Sequence, residues 1–230
     1  MKTQRLRLRY EVSEAASSTG HRDLLREWER AAADAGIGLS YSQGKRPAAQ
    51  ISIAALLPQG ATSSGELMDM FVEERLEPRV VMEKLQPHLP HGVTLLEVEE
   101  VGLQTRSIQS QLRWAEYEVE VPAGGTRAVD IQATIDRLLA AQTWPAEYRR
   151  ETKVRQYDLR PLVLDIRVQA EREDCLLLSM TLRAEQDRTA RADQVVRALG
   201  LPEAKRIHRK ALHLQRTPSV VLAYRCGSGQ

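Results

Sequence analysis

The segment from Tyr41 to Arg46, which reads YSQGKR, brings several groups able to contact a phosphate into one short stretch of chain. It offers two hydroxyls, an amide and two cations from Tyr41, Ser42, Gln43, Lys45 and Arg46. Gly44 tolerates a positive φ, which aims backbone N–H groups outward. Neither established glycine-rich phosphate motif, G-x-x-x-x-G-K-[ST] or G-x-G-x-x-G, occurs at this loop. The residue types therefore favour a phosphate-binding loop and a solvated turn before a strand equally.

A second polar group marks the start of the first predicted helix, which begins near His21. Asp23 lies in its first turn, where a carboxylate complements the positive end of the helix dipole. His21 suits general acid–base chemistry or a phosphate contact, yet no nucleophile or metal ligand lies beside it in sequence. Arg26 belongs to an Arg stripe interleaved with acidic residues. A helix cap and i,i+4 ion pairs are the interpretation we favour, with ligand binding by His21, Asp23 and Arg26 as the alternative.

Asp158 and Arg160 stand two residues apart before Pro161, in a segment that reads as extended. Residues two apart on a strand share a face, so the two side chains can pair with each other or with the neighbouring half of the chain. Structural anchoring is the simpler interpretation. Recognition of a ligand in a groove between the halves is the alternative.

Positive charge is concentrated near the end of the chain, whereas the stretch from Glu66 to Val101 is rich in acidic residues. The cations that we expect to contact RNA lie at the last predicted strand and are Lys205, Arg206, Arg209 and Lys210. Phosphate contacts of this kind give a strongly salt-dependent affinity. A solvated strand face is the simpler interpretation.

The chain has only two cysteines, which limits the metal and cluster sites that it can form. Cys175 and Cys226 lie far apart and outside any C-x-x-C pattern, so neither a zinc site nor an iron–sulfur cluster is expected, and we predict no metal and no cofactor. Cys175 is expected in a strand or core and Cys226 as a solvent-facing thiol.

Without a signal-like N-terminus or an apolar run of about 18 residues, no membrane association is expected, and the cytoplasm is the predicted location. At 4% aromatic residues, a surface that stacks several bases is hard to build.

The elements that must position these residues follow from periodicity. Alternation in RLRLRYEV predicts a strand with an apolar face of Leu6, Leu8 and Tyr10 and a basic outer face. Helical spacing, further alternation and turn residues then give the order βαββαβ, and the second half repeats it. The prediction is an α+β fold of two tandem ferredoxin-like units with antiparallel sheets. The predicted boundaries are 1–103 for the first unit, 104–113 for a linker, 114–217 for the second unit, and 218–230 for a tail with a possible edge strand.

Several short motifs, in order along nearly the whole chain, resemble the radical-SAM-linked protein family. They are QRLRLRYEV, the H-x-D-L of His21–Leu24, the YSQG of Tyr41–Gly44, the LP-x-G of Leu57–Gly60, RWAEYEVEVP, and the DLRPLV of Asp158–Val163. That family is a bacterial domain of unknown function, fused to or encoded beside radical-SAM proteins. This chain departs from the family pattern after YSQG, where Lys45 and Arg46 replace an aromatic residue by charge. Pro47 of the pattern is kept, and its second proline is lost in Ala48–Gln50.

The resemblance implies an accessory role beside a radical-SAM enzyme that acts on RNA, for example in tRNA modification. Because the chain lacks the cysteines for a cluster, it is expected to be non-catalytic and to bind or present RNA through its basic loops and strands. One alternative is a protein-docking module for the radical-SAM partner without nucleic-acid binding. Another, by analogy of fold, is a metal-independent endoribonuclease that uses His21. The sequence leaves the oligomeric state open.

Overall fold

The computed structural model describes residues 2–150, 153–215 and 220–225. The chain divides into two compact units, unit 1 formed by Met1–Leu112 with Leu214–Gln230, and unit 2 formed by Arg113–His213. Both units combine helices with strands whose determined pairings are antiparallel. The α+β class with mostly antiparallel sheets is therefore confirmed, whereas the finer ferredoxin-like assignment stays a prediction.

The described helices and strands of unit 1 are β1 (Gln4–Val12), α1 (His21–Asp34), β2 (Ile51–Ile53), β3 (Thr62–Val72), α2 (Pro78–Leu85), β4 (Val93–Val101), α3 (Ile108–Gln111) and β12 (Val220–Arg225). The strands form a sheet in which neighbours follow the order β2-β3-β1-β4-β12. Short 3₁₀ turns span Glu14–Ala16 and Gln86–His88.

The apolar face of β1 builds the core of unit 1, as its alternation predicts. Leu6, Leu8 and Tyr10 are buried, and the Tyr10 ring meets the edge of Trp28 of α1 at a centroid distance of 5.3 Å. Leu85 of α2 belongs to the same apolar cluster. Both helices thus cover one face of the sheet, and burial of these side chains is the main favourable term for this packing.

The other face of β1 is not the exposed basic face that the sequence predicts. Arg5 and Arg7 are only 2% and 7% exposed, and both donate to the fully buried carboxylate of Asp69. The register explains the difference, because it places Arg7 opposite Asp69 of β3 on one side and opposite Glu99 of β4 on the other. The acidic excess between residues 66 and 101 therefore neutralises the basic strand.

Unit 2 contains a sheet in which β9 lies between β5 and β8, and β5 also neighbours β11. Its elements are β5 (Leu112–Pro122), α4 (Ala128–Ala140), β6 (Pro145–Arg150), β7 (Lys153–Asp158), a 3₁₀ turn (Arg160–Leu162), β8 (Val163–Arg172), β9 (Cys175–Glu185), β10 (Arg188–Thr189), α5 (Ala192–Ala198) and β11 (Arg206–Leu214). Alternate residues of β5, including Tyr117 and Val119, are buried together with Ile135 of α4 and Val195 of α5.

One predicted extended segment of unit 2 is in fact two elements and a turn. The sequence from residue 151 to 169 reads as one strand interrupted at Pro161, but β6 and β7 pair with each other as a separate antiparallel hairpin. The 3₁₀ turn at Pro161 then leads into β8. A proline fixes φ and lacks an N–H donor, which suits a turn better than the interior of a strand.

The predicted linker 104–113 is structured. It contains α3, whose Ile108 is fully buried, and its Thr105 and Arg106 carbonyls accept hydrogen bonds from the Arg5 guanidinium. Residues 104–112 belong to unit 1, and unit 2 begins at Arg113. In the segment predicted as a tail with a possible edge strand, β12 pairs with β4 and places Ala223 opposite Glu99. Residues 216–219 and Cys226 lie outside the described residues.

Candidate functional site

The loop between residues 40 and 50 of unit 1 is closed at its neck by backbone and side-chain hydrogen bonds. Gln50 N donates to Ser40 O at 2.8 Å, and Ser42 N donates to Ala48 O at 2.9 Å. Ala48 N in turn donates to Ser42 Oγ at 3.0 Å. We call this element the neck-closed loop. The neck keeps the chain ends of the loop together, so that residues 43–46 form a projecting tip.

The tip carries two uncompensated positive charges. Lys45 and Arg46 are exposed, and neither forms an ion pair with any residue that the structure describes. Gly44 has a φ of 144°, a conformation that side-chain-bearing residues rarely adopt. Tyr41 does not face the tip, because its hydroxyl donates to Glu29 Oε1 of α1 at 2.8 Å. This hydrogen bond is the main reason that the pKa of Tyr41 is raised above its ordinary value.

A pocket of about 460 Å³ lies in the same unit, beside the base of this loop. Phe71 links the two features, because its N–H donates to Gln50 O and its carbonyl accepts from Ser40 N. Lys2 Nζ lies 4.4 Å from the centre of the Phe71 ring, a cation–π contact. The remaining lining residues are Arg5, Ser52, Asp69, Leu103, Gln104, Thr105, Ser107 and Ile108.

The guanidinium of Arg5 is committed to structure rather than to a ligand. It donates to Asp69 through Nε and Nη2, and to the Thr105 and Arg106 carbonyls. Arg7 Nε lies 2.8 Å from the other oxygen of Asp69. A carboxylate shared by two guanidiniums is a strong, geometrically specific arrangement, which fixes the floor of this pocket.

His21, Asp23 and Arg26 lie along the first turns of α1, as predicted from sequence. His21 and Asp23 are exposed, and Arg26 Nη1 is 3.2 Å from Asp23 Oδ1 in an i,i+3 ion pair. His21 borders a cavity of about 40 Å³ that Glu66 also lines. A cavity of this size holds water-sized molecules and does not hold a nucleotide.

Asp158 and Arg160 do not pair with each other through their side chains. Asp158 Oδ1 accepts from the backbone N–H of Trp144 at 2.7 Å and of Arg160 at 3.0 Å. The Arg160 guanidinium donates to the carbonyls of Leu139 and Val163. Both residues thus fasten the segment around Pro161 within unit 2. A pocket of about 450 Å³ lies beside them, also lined by Arg183.

The basic strand β11 presents less positive charge than its sequence predicts. Arg209 is only 2% exposed, so its guanidinium does not face the solvent, and Lys210 Nζ lies 3.3 Å from Glu118 of β5. Lys205 donates to Cys175 Sγ at 3.1 Å, and this hydrogen bond raises the pKa of Lys205. Arg206 is exposed and remains a candidate. The reason for the difference is that acidic strand β5 lies next to β11.

Sequence reasoning missed two features of unit 2. Trp114 stacks on His213 with ring centres 5.2 Å apart, and His213 Nε2 approaches Glu116 Oε1 to 2.9 Å without the geometry of a hydrogen bond. Trp114 and His213 lie far apart in sequence, so no local sequence pattern could predict their contact. The second feature is strand β6 (Pro145–Arg150), a stretch to which the sequence pattern assigns no element and which pairs with β7 as a separate hairpin.

The described residues contain no group of three or more His, Cys, Asp or Glu side chains placed to hold a metal ion. Cys175 begins β9 and is half-buried, as its strand prediction requires. Within the part of the chain that the structure covers, no helix has the length and apolarity to cross a membrane. The cytoplasmic location stays a prediction.

The two units, with their antiparallel sheets and few helices, define an α+β protein. The chain belongs to the family described as "Uncharacterized protein conserved in bacteria (DUF2344)", whose profile matches residues 5–192. Among solved structures, it is similar to a chain of a Cbf5-Nop10-Gar1 complex, with a TM-score of 0.48, 9% sequence identity, and coverage of 90% of this chain and 48% of that chain. This chain thus spans about half the length of that one. No curated protein matches it.

Proposed function

We propose that this chain is a non-catalytic accessory protein of a radical-SAM enzyme that binds or presents RNA, and that it is built from two ferredoxin-like units. The observation that supports RNA binding is the neck-closed loop, which holds Lys45 and Arg46 exposed and without an ion pair to any described residue. The radical-SAM partner is proposed from the resemblance of the six motifs named above.

The strand orders support the ferredoxin-like part of this proposal. In unit 1 the neighbours run β2-β3-β1-β4, and in unit 2 they run β8-β9-β5-β11. Counted within its own unit, each sheet has the strand order 2-3-1-4. The first and third strands lie in the centre, and the second and fourth strands lie at the edges, as in a ferredoxin-like βαββαβ unit. The hairpin β6–β7 is then an insertion between the first helix and the second strand of unit 2.

The chemistry of the loop tip suits a phosphodiester backbone. A cation that already has a carboxylate partner gains little from a phosphate, because it must give up or share that partner. Lys45 and Arg46 have no such partner among the described residues and release counter-ions on binding. Since the family's aromatic position is occupied by charge here, we expect the loop to bind by electrostatics rather than by base stacking.

The test is binding of a fluorescein-labelled structured RNA to the full chain and to Lys45→Ala/Arg46→Ala over a series of NaCl concentrations. Two lost phosphate contacts should reduce the slope of log K against log[salt] by roughly 1.4 and weaken binding about 20-fold at 0.1 M salt. The matched control is Arg30→Ala/Arg79→Ala, which removes the same charge from exposed i,i+4 ion pairs of unit 1. The control should bind as the unmodified chain does.

Two results would overturn RNA binding by this loop. One is the absence of binding by the unmodified chain at low salt. The other is equal weakening in the loop variant and in the control, since that result would mean that only net charge matters.

A protein-docking module is the second candidate, and the pairing of the basic residues favours it. Arg26 and Lys210 form ion pairs with Asp23 and Glu118, and Arg209 is buried, so fewer cations face a nucleic acid than the sequence predicts. Purification of the native chain with its partner, with and without nuclease, separates the candidates. A complex that survives nuclease and the Lys45/Arg46 substitutions supports docking without RNA.

The endoribonuclease alternative is tested by His21→Ala in an RNA-cleavage assay. No observation on the described residues favours it, and the cavity of about 40 Å³ that His21 borders admits only water-sized molecules. Unchanged cleavage in His21→Ala would remove this alternative.

A further inference from the structure

The pocket of about 460 Å³ in unit 1 lies on the face of the sheet opposite to α1 and α2. Met70 and Val72 of β3 belong to the apolar core under these helices. Because side chains alternate along a strand, Asp69 and Phe71 point to the other face, where they line the pocket. The segment 103–108 supplies most of the other lining residues.

The volume and the apolar lining of this pocket suit one nucleotide. Small-molecule pockets typically measure about 300–1,000 Å³, so this pocket holds one small ligand. Its apolar surface comes from the half-buried Phe71 ring and from Leu103, which is 40% exposed. Ile108 lines the pocket as well and is fully buried. An aromatic ring beside aliphatic side chains gives a planar base a surface on which to stack.

Polar side chains lie beside this apolar surface. Ser52 and Gln104 line the pocket, and their side chains form no hydrogen bond with any described residue. A hydroxyl and an amide each donate and accept, so they match the mixed donors and acceptors on the edge of a base. Arg5 and Asp69, by contrast, bond to each other and define the shape of the pocket.

Lys2 supplies a charge that suits a phosphate. Its Nζ lies 4.4 Å from the centre of the Phe71 ring, and it forms no ion pair with any residue that the structure describes. The lining includes two cations, Lys2 and Arg5, and one carboxylate, Asp69, a net charge of 2 − 1 = +1. A cation–π contact at an exposed site is weak, whereas a charge-assisted bond to a phosphate is strong. A nucleotide therefore draws the ammonium to its phosphate and takes its place over the ring.

The neck-closed loop is attached to the same strand as the pocket. Phe71 bonds through its backbone to Ser40 and Gln50 at the neck. Arg46 stands 50 − 46 = 4 residues from Gln50, so the chain keeps it within about 14 Å of the neck. A single strand of a few nucleotides is long enough to contact the loop tip and the pocket together.

We infer that this pocket binds one unpaired nucleotide of the RNA, with its base on Phe71 and Leu103 and its phosphate on Lys2. This inference rests on the proposed RNA binding and adds the class of RNA, namely a single strand or a loop. A base inside a duplex is already stacked and paired, whereas an unpaired base can be splayed out onto an aromatic ring. One ring suffices for one base, which agrees with the single Phe of the chain.

The experiment measures binding to the full chain by fluorescence anisotropy over a series of NaCl concentrations. The probes are a labelled single-stranded RNA of about 20 nucleotides and an RNA duplex of the same length. Phe71→Leu keeps an apolar side chain but removes the ring, and it should weaken single-strand binding about tenfold without changing the salt slope. Lys2→Gln should reduce the slope of log K against log[salt] by roughly 0.7. Duplex binding, which we assign to the loop tip, should not change in either variant.

Matched controls remove the same groups outside the pocket. Leu103→Ser tests the apolar surface without touching the strand, and its control is Leu56→Ser, since Leu56 is 63% exposed and does not line this pocket. The control for Lys2→Gln is Lys84→Gln, which removes an exposed cation of α2 that forms no ion pair with described residues. Both controls should bind the single strand as the unmodified chain does. Circular dichroism verifies that each variant is folded.

The outcomes separate this inference from the proposed function. Loss of single-strand affinity in Leu103→Ser and Phe71→Leu, beyond the control, supports the pocket. Full affinity in these variants, with loss in Lys45→Ala/Arg46→Ala, overturns the pocket and leaves the proposed function standing. Equal loss on the single strand and the duplex also overturns it, because an unpaired base would then not be required. Competition by adenosine 5′-monophosphate at the same concentration as unlabelled RNA overturns an RNA segment as the ligand, and no binding of either RNA by the unmodified chain overturns both.

Discussion

The carboxylate of Asp69 allows two arginines of the basic strand β1 to be buried. Its carboxylate is fully buried and accepts from both Arg5 and Arg7, which would otherwise be cations with almost no access to water. An ionised group in such surroundings is tolerated only when it is paired and hydrogen-bonded. The cluster therefore depends on Asp69 more than on either arginine.

Replacing Asp69 by Ala should lower the free energy of unfolding by about 3–5 kcal/mol, because it leaves the buried Arg5 guanidinium without a described carboxylate partner and leaves Arg7 with Glu99 alone, 3.9 Å away. The measurement is urea denaturation followed by Trp28 fluorescence, in a background in which Trp114 and Trp144 are replaced by Phe. Asp34→Ala is the matched control, since Asp34 forms an exposed i,i+4 pair with Arg30 at 3.8 Å. The control should change stability by about 0.5 kcal/mol or less. Equal effects would contradict the buried pairing.

Glu99 lies on the same sheet face and gives a pH-dependent prediction. Burial raises the pKa of Glu99 above its ordinary 4.5, and this effect outweighs the opposing attraction of Arg7. The folded protein therefore binds this proton more readily than the unfolded chain, and its stability falls as the pH rises through the ordinary pKa towards the raised one.

Glu99→Gln should accordingly be more stable than the unmodified chain at pH 7, and the advantage should disappear as the pH falls below the ordinary pKa. Urea denaturation at several pH values measures this difference. Glu83→Gln serves as a control, because Glu83 forms an exposed pair with Arg79 on α2. A Glu99→Gln variant that is less stable at pH 7 would show that the ion pair with Arg7 dominates instead.

Among the elements, the turn before β4 contains Gly92, at which an added Cβ would meet neighbouring atoms at short distance. Gly92 has a φ of 74°, and a Cβ added to it would lie 2.8 Å from Ala16 N and 2.9 Å from Ser13 Oγ. The Gly92 carbonyl accepts from Ser13 N at 2.9 Å, so the turn and the 3₁₀ segment at Glu14–Ala16 hold each other. Only glycine satisfies both the conformation and the space.

Gly92→Ala should therefore destabilise the protein by clearly more than the roughly 1–2 kcal/mol expected from the left-handed conformation alone. Gly36→Ala is the comparison, because Gly36 has a similar φ of 65° and an added Cβ would meet no atom within 4 Å. The two variants separate backbone strain from steric contact in thermal unfolding. Equal destabilisation would mean that Ser13 and Ala16 move aside at little cost.

The elements themselves were largely predictable, whereas their partners were not. Alternation identified β1, and helical spacing with a glycine stop identified α1, because these signals are local. The burial of the arginine face of β1 depends on pairing with Asp69, which lies more than 60 residues away in sequence. The β6–β7 hairpin was missed for another reason, since its sequence has no Gly, Pro or Asn where the strand reverses.

At the scale of the whole molecule, the stretches of sequence that are rich in one charge do not become charged surfaces, because tertiary ion pairs neutralise many of their side chains. The acidic region and the basic N-terminal strand cancel inside unit 1, and the basic residues of β11 are partly buried or paired inside unit 2. Of the lysines and arginines predicted to bind a ligand, Lys45, Arg46, Lys205 and Arg206 are exposed and form no ion pair with a described residue, although Lys205 donates a hydrogen bond to Cys175. Composition predicted a near-neutral chain, but only tertiary pairing could show where the remaining cations lie.

The return of β12 to β4 sets an order of events during synthesis. Val220 pairs with Val101, so 220 − 101 = 119 residues must be added after Val101 before its partner strand exists. At the usual rates of translation this takes on the order of 10 seconds, far longer than a helix or hairpin needs to form. All of unit 2 is synthesised in that interval, and during this time the β4 edge of the unit 1 sheet has no partner strand from β12. A nascent chain of this protein is therefore open to pairing with other chains along β4, and the emergence of β12 ends that exposure.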